Sequence, residues 1–141
     1  MADQFVKIEG LEEVLRKVSP DLYEKPLARF FNRAGIAVTN EQKGFAAVDT
    51  GRMRASLGEG ATESIWEKIR GGGLRIGTNV NERGTSYPRI LDESPRYHYA
   101  AGTRSGQQTM GWFSRAPERA QGNIDKAVST LATDIGKEWQ R

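Results

Sequence analysis

The sequence predicts an α+β fold in which a small antiparallel β-sheet packs against a long central helix and a C-terminal helix. Three observations predict it. A stretch from Tyr23 to Glu41 repeats at three- and four-residue steps, with apolar residues at all but its last position. Two alternating segments flank Gly71–Gly73, and a second helical pattern runs to Trp139. Because these elements have to share one core, we expect a single domain spanning residues 1–141.

The N-terminal part predicts a strand followed by two helices. Residues 5–9 alternate as a short strand, and residues 11–18 carry apolar side chains at helical spacing. The long helix is predicted to start between residues 20 and 26, because Pro26 is tolerated only in a first turn or at a kink. We predict that the long helix ends at residues 45–48. Gly35 within it has no side chain and would permit another element to pack closely against the helix.

The sequence in the middle of the chain predicts a junction between the long helix and the sheet, followed by a hairpin. Asp49–Gly51 is expected to form a turn or a helix start, and residues 52–57 a short turn or strand. Residues 64–70 and 74–80 form the two arms of the hairpin around the glycine turn. Alternation of Leu74, Ile76 and Thr78 with polar or small residues predicts a half-buried second arm.

The C-terminal half combines short elements with one long helix. We expect a short helix or strand at Ile90–Leu91, a strand at residues 97–99 and a polar, glycine-rich loop at 102–111. Trp112–Phe113 is predicted to be an apolar anchor before a helix over residues 114–139. The predicted one-sided seam of that helix, expected to pack on the sheet or on a neighbouring subunit, consists of Ile124, Val128, Leu131, Ile135 and Trp139.

Composition excludes several classes of protein. The 141 residues (15.7 kDa) include 37% hydrophobic and 28% charged residues, with a mean hydropathy of −0.63. The chain has no cysteine, which excludes disulfide scaffolds, thiolate metal sites and cysteine nucleophiles. No segment approaches the ~18 apolar residues of a membrane span, and no secretory signal is visible, so we expect a soluble protein without membrane association.

The positive charge is concentrated in one stretch. Residues 83–119 contain six arginines and three acidic residues, which accounts for the whole net charge of +3. Arginine is suited to bidentate contacts with carboxylate or phosphate, although loop solvation and local salt bridges explain such a stretch equally well.

Catalytic chemistry has few candidate groups. His98 is the only histidine, and the aromatic residues on either side of it favour a packed strand over a catalytic base. Asp92 and Glu93 are adjacent, so their side chains diverge and salt bridges to Arg89 or Arg96 are the expected use. We therefore expect no enzyme activity, no cofactor and no metal site.

A segment at the end of the long helix resembles a known motif. Residues 46–56, Ala-Ala-Val-Asp-Thr-Gly-Arg-Met-Arg-Ala-Ser, are similar to the Thr-Gly-x-x-Arg-x-Ser hallmark of the gp-ten-like family of tailed-bacteriophage minor tail or neck proteins, which also resembles minor tail protein Z. Further along the chain, Ile76–Asn79, Tyr87–Glu93 and Trp112–Ala116 occupy the places of later family segments. Departures from the pattern include Ala47 for proline and Met53 for leucine.

The resemblance implies a non-catalytic structural virion protein of the neck or tail. It would form a ring, hexameric or dodecameric, between the head connector or head-completion proteins and the tail tube or terminator, and it would be assembled in the host cytoplasm. The expected interface residues are Asp49, Thr50, Gly51, Arg52, Arg54 and Ser56. The arginines expected to face the lumen or a partner ring are Arg89, Arg96, Arg104 and Arg115; on a lumen they would contact phage DNA non-specifically.

Three alternatives stay open at this point. A tail terminator that caps the tube is a variant within the same structural class. A nucleic-acid-binding accessory protein would use the arginine stretch with Tyr87, Tyr97, Tyr99 and Trp112 as stacking groups. A small hydrolase would depend on His98.

Overall fold

The predicted α+β architecture is confirmed. A computed structural model describes residues 4–6, 20–46, 51–69, 72–81, 83–99, 104 and 106–140. The described helices are α1 (Pro20–Phe45), α2 (Arg52–Ala55), α3 (Tyr87–Glu93), α4 (Ala116–Arg119) and α5 (Gln121–Trp139), and the strands are β1 (Gln4–Val6), β2 (Ser64–Lys68) and β3 (Leu74–Thr78). The predicted helix over residues 11–18 lies outside the described residues, as do Asp49 and Thr50.

The sheet is antiparallel and has the strand order β1–β3–β2. The predicted hairpin is present, with Trp66 of β2 opposite Ile76 of β3. β1 pairs on the other side of β3, with Val6 opposite Leu74. The N-terminal strand is thus found at residues 4–6, and the remainder of its predicted span falls outside the described residues.

The main core lies where α1 meets the inner face of the sheet on one side and α5 on the other. Its buried residues are Phe30, Phe31, Ala34, Val38, Leu74, Ile76, Ala116, Ala120, Ile124, Ala127 and Leu131. Gly35 allows the close approach predicted for it, because a Cβ there would overlap Leu74 Cδ2 and lie 2.8 Å from Trp66 Cη2. α1 starts at Pro20, the early limit of the prediction, and it accommodates Pro26 as a buried interior residue.

The C-terminal helix differs from its prediction in two respects. It is interrupted at Ala120, whose φ of −85° and ψ of 0° separate α4 from α5. Its buried stripe is also shifted: Ala120, Ile124, Ala127 and Leu131 face the core, whereas Val128 and Trp139 of the predicted seam are 42% and 60% exposed. α1 covers only one side of the wide apolar face of α5, so the core-facing stripe is not the whole of the predicted seam. Packing of Val128 and Trp139 on a neighbouring subunit stays a prediction.

Candidate functional site

The helix-to-sheet junction contains the residues that carry the family resemblance. Gly51 stands directly before α2 with φ +81°, a left-handed conformation that favours glycine. The next residues make the single turn of α2, which buries Met53 and ends at Ser56. The predicted turn is therefore helical and not a strand.

Ser56 connects this turn to the sheet through a chain of buried hydrogen bonds. Its hydroxyl donates to the Met53 carbonyl at 2.6 Å and lies 2.6 Å from the Thr78 hydroxyl. Thr78 Oγ1 also accepts from the Val80 amide at 3.2 Å. Since Ser56 uses its proton on Met53, Thr78 is the donor between the two hydroxyls. This series of hydrogen bonds holds the end of α2 against the end of β3.

Arg52 forms an ion pair with another residue of the same chain. Its guanidinium pairs bidentately with Glu63, with Nε donating to Oε2 at 2.9 Å and Nη2 to Oε1. The hydrogen bond from Arg52 lowers the pKa of the Glu63 carboxyl below its ordinary value. Glu63 adopts a positive φ of 64° and its carbonyl accepts from the Asn79 amide at 2.7 Å. Arg54, two positions further along, is exposed, as Arg52 is.

A second, smaller core lies under the junction. Trp112 and Phe113 are buried as predicted and pack edge to face, with ring centroids 5.4 Å apart. They contact Ala46, Met53 and Leu57. The Trp112 indole donates to the Pro88 carbonyl at 3.0 Å, which attaches α3 to this core. Ile90–Leu91 thus belongs to a helix.

Asp92 fastens the chain on both sides of the loop that follows α3. Its Oδ1 accepts from the amides of Phe113 and Ser114 at 2.8 and 2.9 Å and from the Ser114 hydroxyl at 3.2 Å. Its own carbonyl accepts from the Gly111 amide at 2.8 Å. The expected salt bridge forms for its neighbour: Glu93 pairs with Arg89 at 3.0 Å. For Asp92 the predicted salt bridge to an arginine was wrong. Its side chain accepts three hydrogen bonds from Phe113 and Ser114, and its carbonyl accepts a fourth from Gly111.

The segment between Tyr97 and Thr109 folds back on itself. The Tyr99 amide donates to the Gln107 carbonyl at 2.9 Å, and the Thr109 amide to the Tyr97 carbonyl at 3.2 Å. His98 and Gln108 form an isolated bridge between these bonds. The strand predicted at 97–99 is therefore reduced to isolated bridge positions, and His98 pairs with Gln108 of the predicted loop and not with the sheet. Of that loop, residues 102, 103 and 105 lie outside the described residues.

The predicted arginines do not act alike. Arg89 is paired with Glu93, and Arg96 is exposed. Arg104 is half-buried, with its guanidinium carbon 4.1 Å from the centroid of the Phe45 ring. Arg115 is exposed and folds over Gly111. A further arginine of the basic stretch, which was not among the four predicted to face a lumen or partner, joins Arg104: Arg119 stacks on the same Phe45 ring at 3.7 Å.

Two clefts flank Trp66 along one side of α1. A cavity of about 310 Å³ is lined by Tyr23, Leu27, Phe31 and Ile69, among others. A second, of about 390 Å³, is lined by Ile36, Asn40, Lys43 and Leu57, among others. Both include Trp66 in their walls, and its indole lies against α1 at Gly35, between the two clefts. The two clefts follow one side of α1 next to the hairpin. We call the pair the α1 groove.

No protein-family model, curated protein or solved structure matches the chain. Any assignment of function therefore depends on the residues themselves. Within the described ranges, no three histidine, aspartate or glutamate side chains come together as a metal site requires. None of the helices that the structure describes combines the length and hydropathy needed to cross a lipid bilayer.

The aromatic residues proposed as nucleobase-stacking groups are mostly inaccessible. Trp112 is 1% exposed, and the Tyr99 hydroxyl donates to the Phe45 carbonyl beneath Arg104. Tyr87 is half-buried against the smaller core, which leaves Tyr97, at 40% exposure, as the accessible member. A stacking platform for single strands is not formed by these four side chains.

Proposed function

We propose that this chain is a structural protein of a tailed-phage neck or tail, which works by docking onto copies of itself and onto neighbouring ring proteins. The observation that carries the proposal is an uncovered apolar stripe on α5. Val128, Ala132, Ile135 and Trp139 recur at steps of four, three and four residues, so they share one face of the helix. Val128, Ala132 and Trp139 are exposed and Ile135 is half-buried.

This stripe is additional to the face that α5 uses for folding. Ile124, Ala127 and Leu131 already bury the adjacent face against α1. Contiguous exposed apolar surface on a soluble chain is typical of a protein–protein contact, and tryptophan is enriched at the centre of such contacts. Trp139 at 60% exposure is therefore the natural anchor for a partner.

A second copy of the chain supplies the complementary surface in this proposal. The α1 groove is open and partly apolar, and it displays Ile36 and Ile69 at 45% and 42% exposure. A helix face that docks into a groove of the next copy makes a head-to-tail interface, which closes into a ring when the rotation per subunit divides the circle. The family resemblance leads us to expect six or twelve copies, placed between the connector and the tail tube in the virion.

The junction residues serve this proposal by fixing the groove. α2 and the loop after it form one wall, and Ser56 and Arg52 hold that wall to the sheet and to the turn before β2. An interface role for Asp49, Thr50, Gly51 and Arg54 stays a prediction.

Two variants test the interface, and each disrupts one of the two surfaces proposed to contact each other. Trp139→Glu places a charge on the stripe, and Ile36→Glu places one in the groove. Lys137→Glu is the matched control, since Lys137 is exposed on the opposite side of the same helix, about 170° from the axis of the stripe. Native mass spectrometry is expected to show rings for the wild-type chain and for Lys137→Glu, and monomers for each of the other two variants.

Mixing the two defective variants is decisive. In a head-to-tail interface each variant retains one intact surface, so the mixture forms one-to-one dimers that cannot grow into rings. A wild-type chain that stays monomeric, alone and with tail proteins, would count against the proposal. If rings still form with either substitution, the stripe and the groove are not the interface between copies.

A further inference from the structure

Three arginine side chains converge on one small area at the C-terminal end of α1. Arg104 and Arg119 place their guanidinium carbons 4.1 and 3.7 Å from the Phe45 ring centroid. Arg119 Nη1 also donates to the Gly111 carbonyl at 3.4 Å. Arg115 lies against the same glycine, because a Cβ on Gly111 would sit 2.8 Å from Arg115 Cδ and 3.0 Å from its Nε. We call Arg104, Arg115 and Arg119 the arginine cluster.

The charge of the cluster has no carboxylate counterpart among the described residues. Asp92 is occupied by the amides of Phe113 and Ser114, and Glu93 by Arg89. None of the ion pairs within the described ranges includes a member of the cluster. Two guanidiniums on one ring, with a third arginine against the adjacent Gly111, concentrate positive charge in one area. Like charges at short range repel one another, so an anion bound beside them would lower this repulsion.

The cluster rests on a fixed aromatic support. The Tyr99 hydroxyl donates to the Phe45 carbonyl, and Arg104 lies 5.5 Å from the Tyr99 ring centroid as well as over Phe45. Stacking restricts the rotamers of long side chains, which lowers the entropy that binding would otherwise cost. A guanidinium has five N–H donors in its plane, so Arg119 keeps donors beyond the one that it gives to the Gly111 carbonyl.

We propose that the arginine cluster binds phosphates of the duplex DNA backbone, without reading base sequence. Guanidinium forks match the geometry of phosphate oxygens, and adjacent phosphates along a strand supply anions for more than one arginine. The inference rests on the proposed function, where it assigns the cluster to the surface past which DNA moves.

An acidic protein partner is the less favoured ligand. Protein interfaces have an apolar centre, whereas the apolar groups beneath this cluster are covered: Phe45 lies under two guanidiniums, and Trp112 and Phe113 are buried. DNA-binding surfaces are more polar and more positive, as this one is.

Fluorescence anisotropy with a labelled random-sequence duplex measures the binding across a salt series. The test variant is Arg104→Gln/Arg115→Gln. The matched control is Arg29→Gln/Lys126→Gln, which removes two positive charges from exposed positions on α1 and α5. We expect wild-type protein and control to bind with similar affinities and salt slopes. The test variant should lose about tenfold or more at low salt, and its slope of log K against log salt should fall by about 2.

Two further variants distinguish binding lost through removal of charge from binding lost through unfolding. Arg115→Gln alone leaves both arginines on Phe45 in place and is expected to lower the slope by about 1. Arg104→Lys/Arg115→Lys keeps the charges and should retain most of the slope. Circular dichroism melting confirms that each variant is folded before binding is measured.

Several results would overturn the inference. They are the absence of wild-type binding at low salt, equal losses in test variant and control, and tighter binding to poly-glutamate of matched charge than to DNA. Native mass spectrometry on the same samples keeps the two proposals apart. Rings that do not bind DNA refute the arginine cluster alone, whereas a monomer that binds DNA refutes the ring.

Discussion

The hydroxyl groups of Ser56 and Thr78 lie 2.6 Å apart, although 22 positions separate the two residues in the sequence. Both side chains are buried, with exposures of 1% and 4%. This contact joins the end of α2 to the last residue of β3, and so it links the motif segment directly to the sheet.

Replacement of Ser56 by alanine should destabilise the fold. The substitution leaves the Thr78 hydroxyl without its acceptor and removes the bond to the Met53 carbonyl, so we expect a loss of about 1–3 kcal/mol in the free energy of unfolding. Urea denaturation measures it, with Ser129→Ala on the exposed side of α5 as control. In the Ser56→Ala background, Thr78→Val should cost less than it does in the wild-type chain. Additive costs would show that the hydroxyl contact carries no coupling.

Gly35 and Gly44 form a matched pair within α1. A Cβ at Gly35 would overlap Leu74 and Trp66, whereas a Cβ at Gly44 meets nothing within 4 Å. Gly35→Ala should therefore destabilise by about 1–3 kcal/mol through overpacking. Gly44→Ala should leave stability unchanged or raise it by up to about 1 kcal/mol, since alanine is the better helix former. Thermal melts of the two variants decide this, and equal melting temperatures would contradict the close approach.

Asp92 should matter more to stability than Glu93. Asp92→Ala leaves the amides of Phe113 and Ser114 without their charged acceptor, at an expected cost of about 1.5–3 kcal/mol. Glu93→Ala breaks an exposed pair with Arg89 and should cost less than about 1 kcal/mol. Asp92→Asn keeps an oxygen acceptor and should fall between these values in chemical denaturation. The assignment fails if both alanine variants unfold at the same denaturant concentration.

Tyr99 should make the protein less stable at high pH. Burial raises its pKa above the ordinary 10.0, and the nearby Arg104 opposes this only in part. A raised folded-state pKa means that the unfolded chain releases its proton first. The stability contribution of the neutral phenol is thus complete below pH 10 and declines as the pH rises through the folded-state pKa. Denaturation between pH 8 and 11 should show a shallower decline for Tyr99→Phe than for the wild-type chain, and parallel curves would exclude Tyr99 as the cause.

Most of the architecture was predictable because periodicity is a local property. The long helix, the hairpin around residues 71–73 and the buried side chains of Leu74, Ile76 and Thr78 follow from spacing alone. The same spacing placed Val128 and Trp139 in one seam with Ile124 and Leu131, but only the last two of these are buried in the single chain. Spacing identifies the apolar face of a helix but not how much of that face its neighbour covers.

The site depends on contacts that no local pattern encodes. Asp92 reaches amides 21 and 22 residues away, and Arg119 stacks on a ring 74 positions before it. A sequence shows that an aspartate and an arginine are present, but their partners are set by packing of the smaller core. For Gly51 the sequence predicted a turn or a helix start, and the structure adds the left-handed backbone conformation.

The bond between the Asp92 carbonyl and the Gly111 amide brings the two ends of an 18-residue excursion within 2.8 Å of each other. Between these two ends, the described part of the segment touches the body again at Tyr99, whose hydroxyl donates to the Phe45 carbonyl, and at Arg104, which lies over the Phe45 ring. Lengthening or exchanging this segment would alter the outline of the molecule while the two cores remain intact. None of the segment's described residues belongs to either core, and residues 106–108 are exposed, so this turn is a natural position for inserting a peptide.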